Sequence, residues 1–174
     1  MIGTLTNWLS QAFGDSRQRI ALHAVLDPMA DRQSTKILRD PGLVIKAGGG
    51  VLVKAGNAFH AVVKGKLLTK AANTDMAALS GTVTNAKFNV FCFFVDAAGT
   101  LTSAMGTEGA ALADVKFPEF PKNKALIGFI IVNPTGTGNF VGNTTALDDV
   151  TVVPNVVYVD GNDLGNFDPS VLID

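Results

Sequence analysis

The side chains able to do acid–base, nucleophilic or metal chemistry are few and widely spaced. The chain has two glutamates, Glu108 and Glu119, two histidines, His23 and His60, and one cysteine, Cys92. A glycosidase needs a pair of carboxyl groups across the scissile bond, and both glutamates fall in loop-like sequence. Those loops are rich in Ala and Gly, and one Tyr and one Trp in the whole chain offer no aromatic platform for a sugar. The histidines lie in separate segments with no second His or Cys at metal-ligand spacing, so each reads as a structural or surface residue. Cys92 sits in the apolar stretch 88–95, as a buried and inert thiol. A single cysteine also excludes an intrachain disulfide.

Motifs that bind phosphate or activate a nucleophile are missing as well. Gly136-Thr137-Gly138 runs on to Val141 rather than to a third glycine, and a polar loop follows it instead of a helix. There is no P-loop and no Gly-x-Ser-x-Gly elbow. Asp160-Gly161-Asn162-Asp163-Leu164-Gly165 opens like a calcium loop but has Leu164 and Val171 where oxygen ligands belong. Its plain reading is an Asx-type turn. Asn143-Thr144-Thr145 matches a glycosylation sequon. The opening MIGTLTNWLSQAFG has neither the basic nor the continuous apolar region of a secretion signal, so no leader is expected and the sequon is coincidental. The expectation is a protein without catalytic residues, cofactor or metal.

Composition favours one packed domain. The 174 residues are 47% hydrophobic and 17% charged. That is ample core material and fewer charges than the roughly 25% usual for a soluble monomer. Surface hidden in an assembly reduces the need for charge. Apolar runs fall far short of the ~20 residues that span a bilayer, so no membrane contact is expected. Charge is unevenly placed: the first 70 residues carry ten bases against four acids, net +6. From residue 125 onward there is no Lys or Arg, and six aspartates make that stretch −6. Such a chain can be self-complementary between copies or dock on an acidic protein. The bases are spread thinly with no aromatic interleaving, so nucleic acid is not an expected partner.

The elements that would position these groups are short strands. Leu5, Trp8, Leu9, Ala12 and Phe13 keep helical spacing, Thr4 or Thr6 can cap the helix, and Gly14 can end it. Two or three turns need a surface to lie on. Residues 19–26 suit strand or helix. Asp27-Pro28 and Asp40-Pro41 then break the chain, which sets an N-terminal arm at 1–41 and a β-rich domain at 42–174. Strands are expected over 43–47, 51–55, 59–64, 67–71, 88–95, 100–103, 125–132, 139–142, 150–153 and 156–160. A hairpin loop is expected at Asp96-Ala97-Ala98-Gly99, and Phe117-Pro118-Glu119-Phe120-Pro121 reads as an extended segment. Turns every 8–12 residues predict a mainly β fold, an antiparallel sandwich or barrel behind a short helix-containing arm. Phe-Cys-Phe-Phe and Ile-Gly-Phe-Ile-Ile-Val read as strands covered on both faces, one by the core and the other by the arm or a neighbouring subunit.

Val95-Asp96-Ala97-Ala98-Gly99-Thr100-Leu101 is followed by Phe117-Pro118-Glu119-Phe120-Pro121 and the strand from Ala125 to Val132. Gly138-Asn139-Phe140 and Asn143-Thr144-Thr145-Ala146-Leu147-Asp148 come next. Over about residues 43–160 this texture resembles the small β-rich virion proteins of tailed bacteriophages, of the capsid decoration or head-fibre type. The resemblance implies a non-enzymatic structural role on the virion capsid surface. It also implies a homo-oligomer, possibly a trimer, with the major capsid protein or another virion protein as partner. The arm, through Trp8, Phe13, Arg17 and Arg19, would dock on the shell or on a neighbouring copy. The alternative is a tail-fibre or receptor-binding β module. A small hydrolase using Glu108, Glu119 or the C-terminal aspartates is a third possibility.

Overall fold

The computed structural model describes Ile20 and residues 34–161. The helix-containing arm expected at 1–41 therefore lies outside the described residues, apart from Ile20 and its last few positions. Of the described residues, 35–161 belong to one compact unit. That unit is mainly β, built from antiparallel sheets.

Its centre is a four-stranded sheet. Strand β7 (Asn89–Asp96) lies between β8 (Leu101–Met105) and β9 (Lys124–Val132), and β11 (Val156–Asp160) forms the outer edge beyond β9. Three smaller sheets complete the unit. β1 (Lys36–Ile37), β4 (Phe59–Val63) and β5 (Lys66–Lys70) form one. β2 (Leu43–Ile45) pairs with β3 (Val53–Ala55), and β6 (Thr82–Val83) with β10 (Phe140–Val141). The strands make four separate sheets and do not close on themselves, which corrects the barrel alternative.

Two-residue periodicity explains which side chains meet. On one face of the central sheet Phe91, Phe93 and Val95 join Ile127, Ile130 and Val132. The small sheets add Ile37, Phe59, Ala61 and Val63, then Leu43, Val53 and Ala55, then Val83 and Phe140, to make one core. The ring of Phe140 meets Phe91 edge-on at 5.9 Å. On the opposite face Val90, Cys92, Phe94 and Phe129 form a second cluster. Strand β7 is thus buried on both faces, as its unbroken apolar run requires. Part of the cover on its second face comes from within the domain. Phe117 and Phe120, from the proline-flanked segment, stand edge-on against Phe129 at 5.0 Å and Phe94 at 5.6 Å. The chain supplies this contact itself.

Local chemistry sets the reversals. Lys64 and Gly65, with φ of 50° and 77°, form a two-residue turn between β4 and β5 whose hand matches the strand twist. The predicted hairpin at Asp96 is a three-residue loop ending on Gly99 at φ 83°. There the Gly99 N–H donates to the Asp96 carbonyl at 2.9 Å. Opposite Phe93 and Phe94, β9 carries an extra residue, Ile127, and the register shifts. Next to it Gly128 leaves the room that the Leu43 side chain fills; an added Cβ would meet Leu43 Cδ1 at 2.6 Å.

Two expectations need correction. Residues 150–153 form a turn, not a strand. The Asp149 carbonyl accepts from Val152 and Val153, and its carboxylate accepts the Thr151 N–H at 2.9 Å. Three valines and a threonine favour a strand, but an aspartate before them offers the backbone a local alternative. The sheet also begins ahead of residue 41: Lys36 and Ile37 pair with Val62 and Ala61, and Ile37 is buried.

Because Phe93 is buried in the main core, Phe93→Ala should lower stability by about 3–5 kcal/mol. Leu67, 63% exposed on the small sheet, should tolerate Ala within about 0.5 kcal/mol. Urea denaturation of both variants checks the pair.

Candidate functional site

The anionic side chains of the domain are largely engaged in holding loops. Asp96 accepts the Thr100 N–H at 2.8 Å and the Ala98 N–H at 2.9 Å, so it builds the β7–β8 turn. Glu108 accepts the Thr84 N–H and the Thr84 hydroxyl, both at 3.0 Å. Asp149 accepts the hydroxyl of Thr151 at 2.6 Å. Asp148 takes the Gly49 N–H on both oxygens, at 3.1 and 2.8 Å, and ties the glycine-rich β2–β3 turn to a loop 99 residues away. Asp40 accepts the Gly42 N–H, and Asp160 accepts the Leu43 N–H at 2.8 Å.

These bonds hold three carboxyl groups below their ordinary range. For Asp96 the main cause is the Thr100 N–H. For Glu108 it is the Thr84 N–H, then its hydroxyl. For Asp149 it is the Thr151 hydroxyl, then its N–H. A carboxyl group stabilised as its anion is a poor proton donor near neutrality and a weak base, which is the wrong tuning for general acid–base work.

The two glutamates proposed as a hydrolase pair have different surroundings. Glu108 is turned to Thr84. Glu119 is exposed on the proline-flanked segment between Phe117 and Phe120. His60 lies on the outward side of the small sheet, where its Nδ1 is 3.0 Å from the Thr69 hydroxyl. His23 lies outside the described residues. Among the described residues no three His, Cys, Asp or Glu side chains gather as a metal would need. In the calcium-like run, the Asp160 carboxylate faces Leu43 and the Gly161 N–H donates to the Ile127 carbonyl at 2.7 Å. Its remaining positions are outside the described residues, as are Trp8, Phe13, Arg17 and Arg19.

Two surface features stand apart from this internal bonding. One is aromatic: Phe117 and Phe120 are each 47% exposed while their rings pack together at 6.0 Å and cover the second apolar cluster. The other is basic. Lys36, Arg39, Lys64 and Lys66 are exposed around the β1–β4–β5 sheet and make no ion pair among the described residues, whereas Lys46 pairs with Asp75 at 2.5 Å. Sequence reasoning recognised the extended Phe-Pro-Glu-Phe-Pro segment but not its role as a cover. The signal was there in two phenylalanines three residues apart, fixed by flanking prolines beside a strand apolar on both faces.

Two outcomes are expected. The lowered carboxyl groups add stability above their unfolded values near ~4, and that contribution is lost as pH falls through the lowered folded values. The gap in urea midpoint between the wild type and Asp149→Ala should therefore be constant near neutrality and close below about pH 4. Burial pushes the Cys92 thiol up to about 12, so a thiol reagent at pH 8 should label the native protein negligibly and the urea-unfolded chain fully.

No family model, curated protein or solved structure matches this chain in the comparisons made with each.

Proposed function

We propose that this chain is a non-enzymatic virion structural protein, a capsid decoration protein that binds and stabilises a phage head. In this reading the sheets form a sandwich behind a helix-containing arm. The residues ahead of β1, with Trp8, Phe13, Arg17 and Arg19, anchor the molecule, and copies associate on the capsid surface. The major capsid protein is the partner.

The observation that carries the reading is how the domain uses its polar groups. Asp96, Glu108, Asp148 and Asp149 are each bonded to the chain's own backbone and hold its loops in place. The surface also presents the half-exposed rings of Phe117 and Phe120 and the exposed bases Lys64 and Lys66. A rigid frame with aromatic and cationic patches suits contact with another protein, where aromatic side chains supply most of the binding energy.

Purified full-length protein should co-sediment with phage heads. Removing residues 1–34, which spares β1 and the buried Ile37, should leave the cooperative urea unfolding of the domain intact and reduce co-sedimentation at least tenfold. Unchanged binding after the deletion overturns the anchoring role of the arm. Binding to a defined glycan on an array, with none to heads, would favour the receptor-binding module instead.

A further inference from the structure

The outer face of the β1–β4–β5 sheet is both apolar and basic, and its strands hold no acid. Two-residue alternation puts His60 and Val62 of β4 on that face, opposite to the buried Phe59, Ala61 and Val63. Thr69 and Leu67 of β5 lie directly across from them, and Lys36 of β1 lies across from Val62 on the other side. Leu38 continues the pairing by donating its N–H to the His60 carbonyl at 2.9 Å. The face is open, with Leu38 47% and Leu67 63% exposed. Lys64 stands at its turn, and Arg39 and Lys66 at its margin, all exposed. Residues 35–39 and 59–70 contain no Asp or Glu. Asp40, next in sequence, is bonded to the Gly42 N–H at 2.8 Å. Leucines set among cations suit a ligand of the reverse pattern, in which apolar side chains alternate with carboxylates.

Residues 162–174, outside the described residues, have that composition. They carry Asp163, Asp168 and Asp174 with no Lys or Arg, and their apolar residues include Leu164 and Phe167. The Asp160 carboxylate accepts the Leu43 N–H at 2.8 Å, so this segment starts out beside the first residue of β2. Leu43 is five residues from Leu38 and therefore at most about 18 Å from it, whereas thirteen extended residues reach about 45 Å. The segment is long enough to cross the whole face of its own molecule. Tethering also gives it a high effective concentration there, which favours it over the same segment of a second copy. We propose that residues 162–174 dock on the outer face of the β1–β4–β5 sheet of the same chain. Asp163 and Asp168 then lie beside Lys36, Lys64 or Lys66, and Leu164 and Phe167 lie against Leu38 and Leu67.

This docking stands apart from the capsid reading and is tested on the free full-length protein. A water-soluble carbodiimide joins a lysine amine to a carboxylate only where the two are in contact. An equal mixture of unlabelled and isotope-labelled protein separates links within a chain from links between chains. The pair Lys46–Asp75, 2.5 Å apart, is the internal standard. Mass spectrometry should find Asp163 or Asp168 joined within one chain to Lys36, Lys64 or Lys66, in preference to the exposed Lys116 and Lys122. Leu164→Ser combined with Phe167→Ser leaves every reacting group in place and should lower that yield about tenfold, because two apolar contacts are lost. The Lys46–Asp75 link should persist in this variant, as the sign that the domain is intact. Links that are absent, that form only between chains, that reach Lys116 and Lys122 equally, or that keep their yield in the serine variant overturn the proposal.

Discussion

The pairing of β7 with β9 is the constraint on which the rest of the domain depends. These are the two longest strands, eight and nine residues, and they register from Asn89 opposite Val132 to Asp96 opposite Lys124. Each strand end of the pair delivers something needed elsewhere. Asp96 closes the turn into β8, and Asn89 ties the other end down: it is fully buried, its amide donates to the Gly106 carbonyl, and its side-chain oxygen accepts the Val90 N–H. With the ladder in place, Phe91 and Phe93 can anchor the main core while Val90 and Phe94 form the second cluster. The small sheets contain strands of two to five residues, too short to stand alone. They gain their order by laying Phe59, Val53 and Phe140 on that platform.

Carboxylates then hold the loops, some within their own turn, as Asp96 and Asp149 do, and others across long stretches of chain. Asp160 reaches Leu43 across 117 residues, and Asp148 reaches Gly49 across 99. Two aspartates of the run without lysine or arginine, Asp148 and Asp160, thus accept backbone N–H groups of the first half of the chain. Complementarity between the halves is thus partly satisfied inside one molecule, at the β2–β3 turn and at the start of β2. The lysines and arginine around the β1–β4–β5 sheet remain outside that arrangement.

The legible part of the fold was the part with strong period. Strands β7 and β9 stood out as unbroken apolar runs, and β4 as the alternation of Phe59, Ala61 and Val63 inward with His60 and Val62 outward. The Lys64-Gly65 and Asp96–Gly99 reversals were marked by their glycines. Strands β1 and β6 were not legible, because two residues carry no period and are strands only through their partners on β4 and β10. Residues 150–153 were read as a strand from their valines, and the local bonding of Asp149 overrode that propensity. The anchoring carboxylates were invisible for a different reason: Glu108 and Thr84 are 24 residues apart, and nothing in either segment names the other. Of the candidate site, only the buried character of Cys92 was readable beforehand.

The proline-flanked cover has a further consequence for how the molecule fails. Phe117 and Phe120 sit on β7 and β9 through a segment joined to the rest by a single bridge at Thr107 and Lys116 before it and by β9 after it. Lifting that strip costs far less than melting the central sheet, since few backbone bonds are broken. It would bare Phe94 and Phe129, the first on a strand with no charge or proline from Asn89 to Val95, the composition from which amyloid-like stacks grow. The route to aggregation in this protein therefore begins with a local opening of one loop, ahead of any global unfolding, and resistance to it resides in two half-exposed phenylalanine rings.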